Sequence, residues 1–258
     1  MSNFFKEIPP VTKNLIIVNL IIWLAMVLFP SQIGYFINNR LGLHYIGASL
    51  FNPAQLITYM FVHSTDMFVH STDNFLHIFF NMFTLWMFGR ILEQVWGSQR
   101  FFIFYMICGM GAGLIQEGVW ALTWQNEYIS AIAPQNGLTY EHMKDYVEAA
   151  LAQGDQPLIN AMGQFKNMML VVGASGAIYG LLLGFAFVFP NMPLYLFFIP
   201  VPIKAKYMVI GYGVIEFFLG VGGAQSTVAH FAHLGGMLFG LILLLYGKKK
   251  GTLGGRMF

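Results

Sequence analysis

Residues Met169–Pro190 read MLVVGASGAIYGLLLGFAFVFP, and this stretch decides the fold of the chain. About 20 consecutive apolar residues are enough for one helix to cross a bilayer, and the stretch reaches that length. Gly173 and Gly176 lie on either side of Ala174-Ser175, which leaves the serine hydroxyl open to close approach by another backbone. We expect this serine to lie inside a membrane-spanning helix. The serine of the G-x-S-x-G motif in soluble hydrolases lies instead on a strand-to-helix turn.

The composition is that of an integral membrane protein. Of the 258 residues, 57% are hydrophobic and 9% are charged, whereas a soluble domain carries roughly 25% charged residues. The net charge of +2 is too small to favour a nucleic-acid partner. The single cysteine, Cys108, provides neither a disulfide framework nor a cysteine metal site. No cofactor is predicted.

Six apolar runs predict an all-α, polytopic bundle of six transmembrane helices. They are Asn14–Phe29, Phe75–Ile91, Phe101–Leu122, Met168–Phe189, Tyr207–Val221 and Val228–Tyr246. The predicted domains are a cytoplasmic segment (1–13), a six-helix domain (14–247) with long outside loops at 30–74 and 123–167, and a basic cytoplasmic tail (248–258).

The basic residues predict the orientation. Ten of the thirteen lie on the side that holds both termini, so the positive-inside rule makes both termini cytoplasmic. The N-terminus lacks the small-residue cleavage site of a signal peptide, and the first apolar run is therefore read as a retained helix. We expect an integral protein of a bacterial plasma membrane, surrounded by lipid.

Two of the predicted helices carry glycines every four residues: Gly176, Gly180 and Gly184 in the fourth, and Gly236 and Gly240 in the sixth. Such bare faces let two membrane helices approach closely. His233 lies one turn before the glycines of the sixth helix, where it can reach Ser175 as a general base. His230 is one turn nearer the outside end and is less well placed.

The second helix carries His77 and Asn81 at i, i+4 spacing, on one helix face. Both side chains can donate hydrogen bonds to a developing oxyanion, although hydrogen bonding between packed helices would explain them as well. Tyr179 lies one turn after Ser175, on the face that can pack against His233. No acidic residue lies at this level in the second, fourth or sixth helix, so the sequence predicts a Ser–His dyad without a third member. Glu216, in the fifth helix, is left without a role.

The motifs GASGAIYG, HIFFN and AHLGGMLFG together resemble those of the rhomboid family of intramembrane serine proteases. The resemblance implies that Ser175 is the nucleophile and His233 the base. It also implies four supporting residues: His77 and Asn81 in the oxyanion hole, the leading glycine Gly173, and Tyr179 stacked on the base. The implied substrates are single-pass transmembrane proteins, cut near the outer face of the membrane.

Two alternatives remain open. A catalytically inactive relative would bind membrane clients without cutting them, but such proteins typically lack the serine or the histidine. A transporter would need a polar path through the membrane and often shows inverted repeats, and neither is evident here.

The segment MFVHSTD occurs twice in succession, at Met60–Asp66 and Met67–Asp73. The second copy adjoins the second helix with ordinary spacing, so we expect the first copy to bulge outward. The copies contain histidine and aspartate, which could ligate a metal. A polar loop copied once is the simpler interpretation, and we predict no metal site.

Overall fold

A computed structural model describes residues 8–63, 72–196, 199–222 and 229–251. Parts of three predicted regions therefore lie outside the described residues: the N-terminal segment, residues 64–71 of the duplication, and the end of the basic tail. The loop 223–228 between the last two helices lies outside them as well.

The described chain is mostly helical. Its α-helices are α1 (Pro10–Leu28), α2 (Tyr35–Leu41), α3 (Gln55–Thr58), α4 (Thr72–Thr84), α5 (Arg90–Trp96), α6 (Ser98–Ile132), α7 (Tyr140–Ala152), α8 (Gln156–Met168), α9 (Ser175–Val188), α10 (Ala205–Val221) and α11 (His230–Lys250). A π-helical turn at Leu85–Gly89 joins α4 to α5. The strands form two short antiparallel pairs: β1 (Leu43–His44) with β2 (Leu170–Val171), and β3 (Pro193–Leu196) with β4 (Ile199–Lys204).

Four helical segments of the described chain are long and apolar enough to cross a membrane. They correspond to the first, second, third and sixth predicted runs and comprise Pro10–Leu28, Phe75–Trp96, Ser98–Asn136 and His230–Lys250. The fourth and fifth runs form α9, of 14 residues, and α10, of 17 residues. The prediction of six spans thus rests, for these two, on helices shorter than the usual length of about 20 residues.

The predicted extent of the fourth span, Met168–Phe189, is wrong. Its first residues belong to the end of α8 and to β2, and helical structure begins only at Ser175. Gly173 has a φ of 121°, a conformation that glycine adopts readily and other residues rarely do, so the backbone cannot be helical there. The backbone N–H of Gly173 donates to the carbonyl of Tyr59, which fixes the turn to the rest of the protein.

The centre of the protein is a three-helix contact in which α11 packs against both α6 and α9. Glycines allow it. A methyl group added at Gly236 would overlap the carbonyl oxygen of Gly176, and one added at Gly111 would overlap the ring of Phe239. In a membrane helix this close approach is driven by van der Waals packing, because lipid supplies no hydrophobic force between helices.

Candidate active site

Ser175 belongs to helix α9, as expected, but it is the first residue of that helix and not an interior one. The chain runs from the short strand β2 through Gly173 into α9, which is a strand–turn–helix path. The first backbone N–H groups of a helix have no acceptor within it, and the helix dipole makes this end partly positive. Ser175 therefore lies where a negative oxygen is stabilised.

His233 lies directly against Ser175. Its Nε2 is 2.8 Å from the Ser175 Oγ, within hydrogen-bond reach of a nucleophile and its base. Both residues are in the first turn of their helices, since α11 begins at His230. The ring of Tyr179 stacks on that of His233, with 4.2 Å between centroids and 6° between planes. The imidazole is buried and lies parallel to the Tyr179 ring, whereas Ser175 is partly exposed.

The glycine contact between the two helices sets this distance. Gly176 follows the serine directly, and Gly236 lies three residues after the histidine. Their backbones touch, and one turn further along, Gly180 and Gly240 are also in contact. The separation between the side chains of Ser175 and His233 is therefore set by the contact between the two helix backbones.

His77 and Asn81 both lie on α4, one turn apart, and His77 contacts the turn before Ser175. A methyl group added at Gly173 would meet the His77 ring at 2.9 Å, so the imidazole rests on the turn that precedes the serine. Asn81 is buried, and its Nδ2 lies 3.1 Å from the Nε2 of His63. The amide nitrogen is the donor, so this Nε2 accepts.

The expectation that the first copy of MFVHSTD bulges outward is wrong for the part that the structure describes. Met60, Val62 and His63 are fully buried, and Met60 packs on Gly109. The His63 ring lies 5.2 Å from that of His77, centroid to centroid. The sequence did contain a signal for burial, because the first copy itself begins with three apolar residues, Met60–Val62. Because the two copies are identical, the sequence did not indicate which of them would be buried.

Replacing His63 with leucine, which has no hydrogen-bonding atom, is expected to lower the protease activity proposed below for this site, while the same change at His70 leaves that activity unchanged. His70 is the equivalent residue of the second copy, in identical local sequence, and is therefore the matched control. The loss of a buried hydrogen-bond partner costs about 1–3 kcal/mol, so we expect roughly a 5- to 150-fold fall in kcat/KM from a loosened Asn81 amide. Cleavage assays on both variants check this, and equal effects at the two positions would contradict it.

Glu216 is the site residue that sequence analysis missed. This buried carboxylate of α10 accepts a hydrogen bond from the hydroxyl of Tyr179, and its Oε2 lies 2.6 Å from the Nδ1 of His230. Its Oε1 lies 3.1 Å from the Nδ1 of His233, a contact without the alignment of a hydrogen bond. An ionisable group inside a span indicates a partner in a neighbouring helix. The spacing within α10 alone could not identify which one.

The arrangement defines a class of protein. A serine on a base, at a helix N-terminus and beside polar side chains of another helix, is the combination that acyl transfer requires. The helices that carry it belong to an integral membrane protein. A model of the Rhomboid domain matches residues 51–123 and 147–250, more than half of the chain. The chain belongs to the rhomboid family, whose members are usually intramembrane serine proteases. A comparison with curated proteins finds no match.

Proposed function

We propose that the protein is an intramembrane serine endopeptidase that works with Ser175 and His233. The observation that carries the proposal is the 2.8 Å contact between the Ser175 Oγ and the His233 Nε2. It occurs in a rhomboid chain and at a helix N-terminus, where backbone N–H groups are available to an oxyanion. A binding protein without activity would need no such alignment.

In the proposed reaction His233 accepts the hydroxyl proton as the Ser175 oxygen attacks the carbonyl carbon of the scissile bond. The negative oxygen of the tetrahedral intermediate is stabilised by the Ser175 backbone N–H together with His77 and Asn81. His233 then gives its proton to the leaving amine, and the C–N bond breaks to leave an acyl-enzyme. Water, deprotonated by the same imidazole, hydrolyses the ester and restores the serine.

The proposed substrates are single-pass transmembrane proteins, cut near the outer face of a bacterial plasma membrane. The proposed domain is the six-helix unit of residues 14–247, with both termini in the cytoplasm. The charge distribution along the sequence supports this orientation. The partial exposure of Ser175 and His77 supports access by water, which hydrolysis needs.

The test is cleavage of a model single-pass protein in proteoliposomes that contain the full chain. The wild type is expected to cut it, and the His233→Ala variant is expected to lose at least about 10³-fold in kcat, because the nucleophile is then without a base. Folding of the variant is checked by its thermal transition in detergent. A wild type that binds the substrate without cutting it would favour the client-binding alternative. Full activity of His233→Ala would exclude the assigned base.

A further inference from the structure

The carboxylate of Glu216 connects three helices at the reaction site. It contacts Tyr179 of α9 and both His230 and His233 of α11, while Glu216 itself belongs to α10. All four side chains are buried or partly buried, with Glu216 only 6% exposed. A buried carboxylate is costly to hold in a membrane unless its partners satisfy it.

Glu216 contacts His233 on the edge of the imidazole ring that faces away from Ser175. Nε2 of His233 is engaged with Ser175, and Nδ1 faces Glu216 at 3.1 Å. A carboxylate beside Nδ1 favours the tautomer with its proton there, which leaves Nε2 free to accept the serine proton. The same negative charge stabilises the imidazolium that forms when that proton arrives.

We infer that Glu216, from α10, is a positioning residue of the reaction. It is the third member of a Ser175–His233–Glu216 triad and orients the base. The inference rests on the proposed protease function and adds to it the group that orients the base. Tyr179 and His230 then have a defined task. As donors to the carboxylate, they hold it in place beside His233.

Other titratable groups of the described residues also lie near His233. His77 of α4 is near enough to act on it electrostatically, and Tyr179 covers its ring. Ligand atoms of His230 and Glu216 also lie within 4.8 Å of those of His233. Of these described groups, Glu216 is the carboxylate, so it is the one that can place a negative charge beside the His233 ring.

The experiment compares Glu216→Gln with the wild type in the proteoliposome assay. The glutamine keeps the shape and removes the charge, and its amide can also donate to Nδ1, which would put the imidazole proton on Nε2. We expect kcat to fall at least about 10²-fold, KM to change little, and the pH dependence of the residual activity to differ from that of the wild type, because His233 has lost the carboxylate that orients its ring. Glu216→Asp, which keeps the charge, should recover part of the loss.

The matched control is Glu117→Gln. Glu117 is a carboxylate of similar burial in α6, and it accepts a hydrogen bond from the backbone N–H of Ile46. We expect this variant to keep the wild-type kcat and pH profile. A purely structural role for Glu216 would lower the thermal transition and leave the pH profile of the residual activity in place, and that result would overturn the inference.

Two further outcomes are decisive. If Glu216→Gln has wild-type kinetics and Ser175→Ala is inactive, the inference is overturned and the proposed function stands. If the wild type cleaves no substrate, both the inference and the proposed function are wrong. The ligand atoms of Glu216, His230 and His233 lie within 4.8 Å of one another, which also suits a cation. Activity lost in EDTA and restored by Zn²⁺ would mean that these side chains hold a metal. That result would overturn the inference that Glu216 positions His233.

Discussion

Replacing Ser175 with alanine is expected to abolish labelling of the protein by a fluorophosphonate probe. Such probes react with a serine whose proton is removed by a neighbouring base: an O–P bond forms and fluoride leaves. The Nε2 of His233, the base we propose, lies 2.8 Å from the Ser175 Oγ. The substitution removes a partly exposed hydroxyl at the start of α9 and leaves the glycine contact with α11 unchanged, so the fold should be retained. In-gel fluorescence of purified protein measures the labelling.

The matched control for this prediction is Ser130→Ala. Ser130 is an exposed serine of α6, and its removal should leave the labelling intensity unchanged. Cleavage of the model substrate should follow the labelling and fall at least about 10³-fold in Ser175→Ala. Persistent labelling of Ser175→Ala would show that another residue is the nucleophile, and the assignment of the whole site would then be wrong.

Gly236→Ala is expected to have the largest effect on both stability and activity among substitutions that add a single methyl group. The new Cβ would overlap the carbonyl oxygen of Gly176, and a backbone atom cannot move aside as a flexible side chain does. The two helices must separate, which costs about 1–3 kcal/mol or more. His233 moves with α11, and a displacement of about 1 Å lowers the rate by about 10²-fold. Thermal unfolding in detergent and kcat together measure the two effects.

The chain offers graded controls for this substitution. A Cβ at Gly211, in α10, would meet no atom within 4 Å, so Gly211→Ala should be neutral or slightly stabilising. A Cβ at Gly240 would lie 3.3 Å from the sulfur of Cys108 and 3.4 Å from Gly180, so Gly240→Ala should fall between the two. An unchanged thermal transition in Gly236→Ala would contradict the close approach of α9 and α11.

The sequence alone was informative where the relevant spacing is local. Glycines four residues apart mark a helix face, and two such faces correctly indicated that the helices of Ser175 and His233 pack together. Hydropathy located four of the spans. The family followed from three short motifs, and the match of the Rhomboid domain confirms it.

The sequence was uninformative where structure depends on backbone geometry or on distant contacts. An apolar run shows no boundary between β2 and α9, because Leu170–Val171 is as apolar as the helix and only the φ of Gly173 ends the extended segment. Glu216 is 37 residues from Tyr179 and meets it only through packing. The prediction of a dyad considered acidic residues only in the second, fourth and sixth helices. It therefore could not include Glu216, which lies in the fifth.

The duplicated segment has a consequence for the history of the gene. The described structure places Met60–His63 of the first copy in the core, and α4 begins at Thr72 in the second copy. Because the copies are identical, loss of either one yields the same protein, with the buried histidine and the start of the helix both retained. A lineage can therefore gain or discard these seven residues without a substitution at any residue of the site.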